Sequence, residues 1–295
     1  MTDDKVLRIG LPKGSLQDAT IEMFKKAGWN IKVDERQYKP DLNDDELWSV
    51  LLRAQEMPTY VANGVLDCGL TGLDWIKESG VEDSVVEVAD LVYAKRGMTP
   101  YRWVLAVHEN SDIEDWEDLQ GGRIATELVN VTRGILEDKG IDADVEYSWG
   151  ATEAKCPSLV DAIIEGTETG STLEANNLRI IKVLFESTTK LIANKEAWED
   201  DFKRRKIKNI ALMLEAALSA EHYVGLKMNC SDDDLDAVLD VLPALKNPTI
   251  SELANNGWHA IEVIVRTDTV RHLVPRLKAA GAQGIIEYPL NKVIL

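Results

Sequence analysis

VLRIGLPKGSL, residues 6–16, decides the fold class. Residues 5–11 are nearly continuously apolar, the pattern of a strand covered on both faces, and Pro12-Lys13-Gly14-Ser15 interrupts it with turn residues. Ile21, Phe24 and Ala27 then recur at helical spacing as far as Gly28. Strand, tight loop and helix in that order open an α/β unit.

Working outward, Asp45–Gln55 carries Leu47, Val50 and Leu51 at helical spacing, and Pro58 marks a second helix start. Asp67–Gly72 reads as a short strand running into a loop, and Asp74–Ser79 as a helix. Val86–Lys95 and Tyr101–Val107 are β-rich. Gly122–Thr126, Val145–Trp149, Leu178–Leu184 and Thr189–Asn194 read as strands, Val129–Lys139 as a helix ended by Gly140, and Lys203–Ala220 as a long helix. The tail alternates differently. Tyr223–Met228, Ala260–Arg266 and Gly284–Tyr288 are strand-like, with helices expected over Asp232–Leu242 and Thr269–Ala280, the order of a small ferredoxin-like or ACT-like module. The expected organisation is a first α/β lobe over residues 1–95, a second over 96–186, a return to the first over 187–218, and an α+β module over 219–295. Two lobes joined by crossing strands leave a cleft, a preferred site for small ligands.

Composition narrows the function classes. The chain has 295 residues, 45% hydrophobic and 28% charged, an ordinary globular balance. A formal net charge of −18 opposes nucleic-acid binding, which needs clustered Lys and Arg, and Lys203–Lys208 is too short a basic run to supply it. Cys68, Cys156 and Cys230 are far apart without CxxC spacing, which gives free thiols rather than a zinc site or a disulfide framework. No signal-peptide pattern is apparent and no apolar run approaches the roughly 18–20 residues that span a bilayer, so a soluble cytoplasmic protein is expected.

Four constellations carry chemistry. DAIIEGTETGSTL, residues 161–173, places two acidic residues, Asp161 and Glu165, before a small-residue loop. Its backbone amides and the hydroxyls of Thr169, Ser171 and Thr172 suit a phosphate, and a short helix over Ser171–Asn177 would aim its positive end at the same spot. The acidic pair suits ribose hydroxyls or a magnesium shell. An ordinary helix cap at Thr169 or Ser171 is the plainer alternative. In the second, Lys13 and Gly14 follow the first strand, at the sheet edge where ligands of α/β proteins collect. The third is Arg53-Ala54-Gln55-Glu56 with Asp67–Asp74 beyond it: Arg53 suits a pyrophosphate, although a salt-bridged helix and a loop capped by Asp74 would explain the same residues. In the fourth, Ala125-Thr126-Glu127 and Gly150–Glu153 each follow a strand. No Ser-His-Asp, HExxH, Walker A or GxGxxG pattern is present.

In this order the segments resemble the ATP phosphoribosyltransferase family over essentially the whole chain. The likeness runs through LRIGLPKGSL, EMPTYVANGVLDCGLTGLDWI (residues 56–76), GRIAT, GATEAK, DAIIEGTETGSTLEANNL and STTKLIAN (residues 187–194). It continues in a tail, LPALKNPTISEL and LKAAGAQGIIEYPLNK, similar to the regulatory domain of the long form. The resemblance implies a two-lobed core like a type II periplasmic binding protein plus an ACT-like domain. It also implies transfer of the phosphoribosyl group of phosphoribosyl pyrophosphate to N1 of ATP with magnesium, inhibition by histidine, and a homo-oligomer between dimer and hexamer without a separate regulatory subunit.

The same resemblance assigns the 5′-phosphate to Glu168, Thr169, Gly170, Ser171 and Thr172. Ribose or magnesium falls to Asp161 and Glu165, pyrophosphate or triphosphate to Lys13 and Arg53, and the nucleotide to Lys13, Glu56 and Thr71. Effector histidine falls to Asn229, Leu245, Thr249, Ile264 and Gly284. Ser15 stands where the family often has Arg, and Asn229 where some relatives carry Asp. Competing expectations are a two-lobed ligand-binding protein, a catalytically silent regulatory homologue, and a short-form subunit needing a partner.

Overall fold

The computed structural model describes residues 5–33, 38–93, 101–243, 248–254 and 257–294. Leu245 therefore lies outside the described residues. In chain order the first elements are β1 (Leu7–Lys13), α1 (Gln17–Ala27), β2 (Leu47–Arg53), α2 (Met57–Ala62), β3 (Cys68–Gly72), α3 (Leu73–Glu78) and β4 (Val85–Leu91). The second group is β5 (Tyr101–His108), β6 (Arg123–Thr126), α4 (Val129–Lys139), β7 (Asp144–Tyr147), β8 (Ala162–Thr167), α5 (Ser171–Ala175) and β9 (Leu178–Ser187). Then follow β10 (Thr189–Asn194), α6 (Lys195–Glu199), α7 (Asp201–Ser219), β11 (Tyr223–Ser231), α8 (Leu235–Val241), β12 (Thr249–Glu252), β13 (Trp258–Arg266), α9 (Val270–Ala279) and β14 (Gln283–Pro289). Contacts divide the chain into two compact units: the N-terminus to Glu22 with Trp29–Ala211, and Met23–Gly28 with Leu212–Leu295.

The first unit holds two five-stranded sheets of matching design. One has the order β2-β1-β3-β10-β4 and the other β7-β6-β8-β5-β9. In each, three parallel strands are followed by one antiparallel strand, β10 or β5, that sits between the third parallel strand and an edge. The first unit is thus a pair of α/β lobes of the same strand order, the two-lobed core expected from the sequence. The open end of each sheet, where its parallel strands finish, is where loops can be functional without disturbing the core. Met57, Val61, Leu66, Ile76, Val85 and Ile192 form a core of the first lobe. Gly10 and Gly69 let α2 settle onto it, because a Cβ at either would stand 2.1 or 2.6 Å from the Met57 sulfur. The second lobe packs Trp103, Leu105, Val107, Ile124, Leu136 and Ile164 together with their neighbours.

One element changes type from the sequence expectation. Asp45–Gln55 is not helical; Leu47–Arg53 is β2, paired in parallel with β1 along its whole length. Leu47-Trp48-Ser49-Val50-Leu51-Leu52, apolar except for Ser49, suits a strand of a parallel sheet as well as a helix.

The second unit is a four-stranded antiparallel sheet, order β12-β13-β11-β14. Val224, Leu226, Met228, Ile261, Val263 and Val265 alternate onto one face and bury against Leu273 and Leu277 of α9 and Val238 of α8. β12 is an extra edge strand beyond the β-α-β-α-β order read from the sequence. No helix among the described residues is long and apolar enough to cross a membrane.

Candidate active site

The two sheets of the first unit present their parallel-strand ends to a shared cleft of about 950 Å³. From the first lobe come Lys13 and Arg53. They are the last residues of β1 and β2 and are directly paired in register, so the parallel sheet itself sets two cations side by side. The Lys13 ammonium lies 3.8 Å from the ring centroid of Tyr38, which also lines the cleft, so an aromatic face steadies the charge. Gln55 and Glu56 continue the same rim in the turn before α2.

The opposite wall is acidic. Glu127 follows β6, and Glu165 and Glu168 lie in and just after β8. Burial, reinforced by the carboxylates of Glu153 and Glu127, pushes the Glu165 carboxyl up to about 7, against stabilising hydrogen bonds from Thr152 and the Gly166 amide. One of its oxygens, Oε2, is buried with no hydrogen-bond partner among the described residues. A buried oxygen of that kind is an acceptor waiting for a donor or a cation. Burial also raises Glu127, and Gln55 from the opposite lobe donates to it. Tyr101 stands among Glu165, Asp74, Glu127 and Glu168; burial and those charges push its phenol well above the usual range, so the hydroxyl stays neutral and donates to the Gly166 carbonyl at 2.7 Å.

The loop after β8 is built for close approach. Gly170 has φ of +84° and is the residue preceding α5; its amide donates to Thr167 Oγ1 at 2.8 Å. No side chain caps α5 from the Gly170 position. The Thr169 and Ser171 hydroxyls bond each other at 3.0 Å, and Thr169 Oγ1 also accepts from the Ser171 amide at 3.4 Å. The helix is only five residues long, so any anion held here would rest on loop amides and hydroxyls rather than on a helix dipole.

Two residues stand elsewhere than the sequence reading put them. Asp161 precedes β8 at the end remote from the loop, where its Oδ2 accepts from the Arg123 amide at 2.8 Å. Four residues of extended chain measure roughly 13 Å, so Asp161 and Glu165 do not act as a pair. Thr71 is fully buried and its hydroxyl donates to the Ala54 carbonyl at 2.7 Å; it props the turn carrying Gln55 and Glu56 rather than facing the cleft. Conversely, Asp74, Tyr101 and Trp103 line the cleft and were missed. An Asp at the start of an apolar helix reads as a cap, and β5 reads as plain core. A lone buried acid beside aromatic strand residues was the available signal.

Residues 53–216 match the family model described as ATP phosphoribosyltransferase, and residues 220–292 match the model of the C-terminal domain of the same family. The chain belongs to the ATP phosphoribosyltransferase family. It is a long-form member, since both family regions are present in one chain, and the family makes it a pentosyltransferase of the first step of histidine biosynthesis. The ATP phosphoribosyltransferase of Desulforudis audaxviator is 61% identical over 288 residues, covering 98% of this chain and 99% of that protein. That of Chlorobium phaeovibrioides is 57% identical, covering 99% and 98%. Among solved structures, a chain of the ATP phosphoribosyl transferase HisG:HisZ complex of Thermotoga maritima superposes with a TM-score of 0.61 at 26% identity, covering 71% of this chain and 99% of that one.

The residues matched to the family's effector site lie in the second unit. Asn229, Thr249 and Ile264 come from β11, β12 and β13 and lie on the sheet face away from α8 and α9, with Lys227 and Glu262 between them. Gly284, with φ of +57°, is the second residue of β14, and a Cβ there would meet nothing within 4 Å.

Proposed function

We propose that the cleft between the two lobes holds phosphoribosyl pyrophosphate and ATP together, with the two walls dividing the work by charge. The observation that carries this is the register pair Lys13 and Arg53 across the cleft from Glu165 and from Glu168, the first residue of the 168–172 loop. The loop takes the 5′-phosphate on its amides and hydroxyls. Glu165, whose Oε2 has no donor among the described residues, accepts from the ribose hydroxyls. Lys13 and Arg53 take the pyrophosphate that leaves and the triphosphate of the incoming nucleotide, beside Glu56.

Positive charge develops on the ribose ring as the bond to pyrophosphate breaks and N1 of adenine closes on C1′. The enzyme then needs no covalent nucleophile. Its work is to align two bound molecules, stabilise the leaving group and exclude water. The carboxylates of Glu127, Glu165 and Glu168 and the phosphate oxygens of the substrate are hard donors that fit magnesium, which would supply charge neutralisation on the pyrophosphate. Among the described residues no three His, Cys, Asp or Glu side chains converge to hold a metal by themselves, so the fit is with a cation that the substrate brings.

The outer sheet face bearing Asn229, Thr249, Ile264 and Gly284 takes histidine, in a cytoplasmic homo-oligomer of two to six copies that needs no separate regulatory subunit. The test is phosphoribosyl-ATP formation from ATP, phosphoribosyl pyrophosphate and magnesium, with and without histidine. Activity suppressed by histidine is the expected result. Activity indifferent to it removes the effector site, and no product from folded protein removes the substrate assignments.

A further inference from the structure

α3 is a short helix with loyalties to both lobes. It continues directly from β3, and Ile76 is part of the first-lobe core. Its other side chains reach the second lobe. Asp74 Oδ2 accepts from the indole N–H of Trp103, on β5, at 2.8 Å. Trp75 packs edge-to-face on the same indole with ring centroids 6.2 Å apart. The Lys77 ammonium lies 5.9 Å from the ring of Phe185, on β9. Both oxygens of Glu78 accept from the Asn130 amide at 3.0 Å, and Oε2 also accepts from Val131 at 3.0 Å, which satisfies the first amides of α4. The crossover between lobes joins the same helix: the Leu73 amide donates to the Thr188 carbonyl at 3.0 Å, and the Asp74 amide to the Ser187 hydroxyl at 3.1 Å.

Asp74 is out of keeping with a plain cap. It is 5% exposed, lines the cleft, and shares its surroundings with other acids. Retaining a carboxyl there is unfavourable unless its hydrogen bonds are needed. Its partner Trp103 pairs directly with Gly166, the residue after Glu165, so Asp74 is linked through β5 to the β8 segment that carries Glu165.

We propose that α3 is the strut that sets the closed register of the two lobes, and that Asp74 is a positioning residue acting through Trp103 on the β8 edge that carries Glu165. The proposal rests on the cleft being the site of transfer. If the strut slips, each lobe keeps its own substrate contacts, but the two halves of the site no longer meet at C1′. The penalty then falls on kcat more than on either KM.

Cys68, Cys156 and Cys230 are all buried, so nitroxide labels can be directed to Asp18→Cys in the first lobe and Asp138→Cys in the second, both exposed positions of the full chain. The interlobe distance is then measured by pulsed electron resonance, without substrates, in the otherwise wild-type protein and in Asp74→Ala, Asp74→Asn and Glu78→Ala. Asp74→Ala and Glu78→Ala should broaden and lengthen the distribution. In unlabelled protein, Asp74→Ala should lower kcat about 30-fold or more while both KM values stay within about threefold. Asp74→Asn keeps an oxygen for the indole and should recover most of both readouts.

A wild-type distance distribution in both alanine variants overturns the strut, whatever their activity. So does an unchanged kcat in Asp74→Ala. If Asp74→Ala does not fold, Glu78→Ala, which lies outside the cleft, decides alone. Because the distance is read without substrates, it stands even where the assignment of the transfer reaction to this cleft fails.

Discussion

The two lobes of the first unit share one design, but the residues that lead off their strand ends differ in charge. β1 and β2 end in Lys13 and Arg53, while the equivalent ends of β6 and β8 lead into Glu127 and Glu168. The same sheet order thus yields a cationic wall and an acidic, hydroxyl-bearing wall. Strand topology decides only where functional groups stand; the residues at the strand ends decide what they do. A protein with a formal charge of −18 can thereby handle two polyanions with a handful of local cations.

The sharpest way to break this contrast is to neutralise the cationic wall. Arg53→Ala or Lys13→Ala should cut kcat/KM by about 10²–10³-fold, the usual loss when one group stabilising developing charge is removed, with little change in melting temperature because both side chains are exposed. Steady-state kinetics beside a thermal melt checks it; a loss below threefold removes the residue from the leaving-group site.

Next comes the acidic wall's loop. Gly170→Val forces a β-branched residue into a left-handed conformation and should raise the KM for phosphoribosyl pyrophosphate about tenfold or more while leaving that for ATP nearly constant. Equal changes in both would show a general collapse of the wall.

A smaller effect is expected from pH. Glu165 titrates near 7 in the folded protein and near 4.5 when unfolded, so it is protonated below neutrality and charged above. Ribose hydroxyls bind the charged form better, so the KM for phosphoribosyl pyrophosphate should fall as pH rises from 6 to 8, and Glu165→Gln should flatten that profile. Stability runs the other way. The folded state binds more protons than the unfolded state between about 4.5 and 7, so this group's contribution to stability declines as pH rises through that window. Urea titrations of both proteins at pH 5 and 8 check the sign.

The least effect belongs to Asp161. Asp161→Asn should leave kcat/KM within about twofold, because its carboxylate bonds the Arg123 amide at the remote end of β8 and the amide oxygen of Asn can replace it. A tenfold loss would return Asp161 to the site.

Much of this was legible in the residues. The apolar run before Pro12 announced an α/β unit, and the tail's period-two alternation announced a sheet with one buried face. The failures share one cause, the ambiguity of short spacings. Leu47, Val50 and Leu51 fit a helix and a buried strand alike, so Arg53 was recognised as a cation without its place at a strand end beside Lys13. Asp161 and Glu165 are four apart, which is a neighbourly distance on a helix and a distant one on a strand. Asp74 was hidden because its value depends on Trp103, twenty-nine positions away, and no local pattern reports a partner across a lobe boundary.

The position of β10 has a consequence for synthesis. The second lobe's five strands, β5 to β9, are contiguous in the chain, but β10 fits between β3 and β4 and is made only after that lobe is finished. As the chain leaves the ribosome, the first lobe therefore waits with two unmated strand edges facing a gap one strand wide, while the later-made lobe can already close. The first lobe is begun before the second lobe and completed after it, which makes it the lobe that most needs shielding during translation.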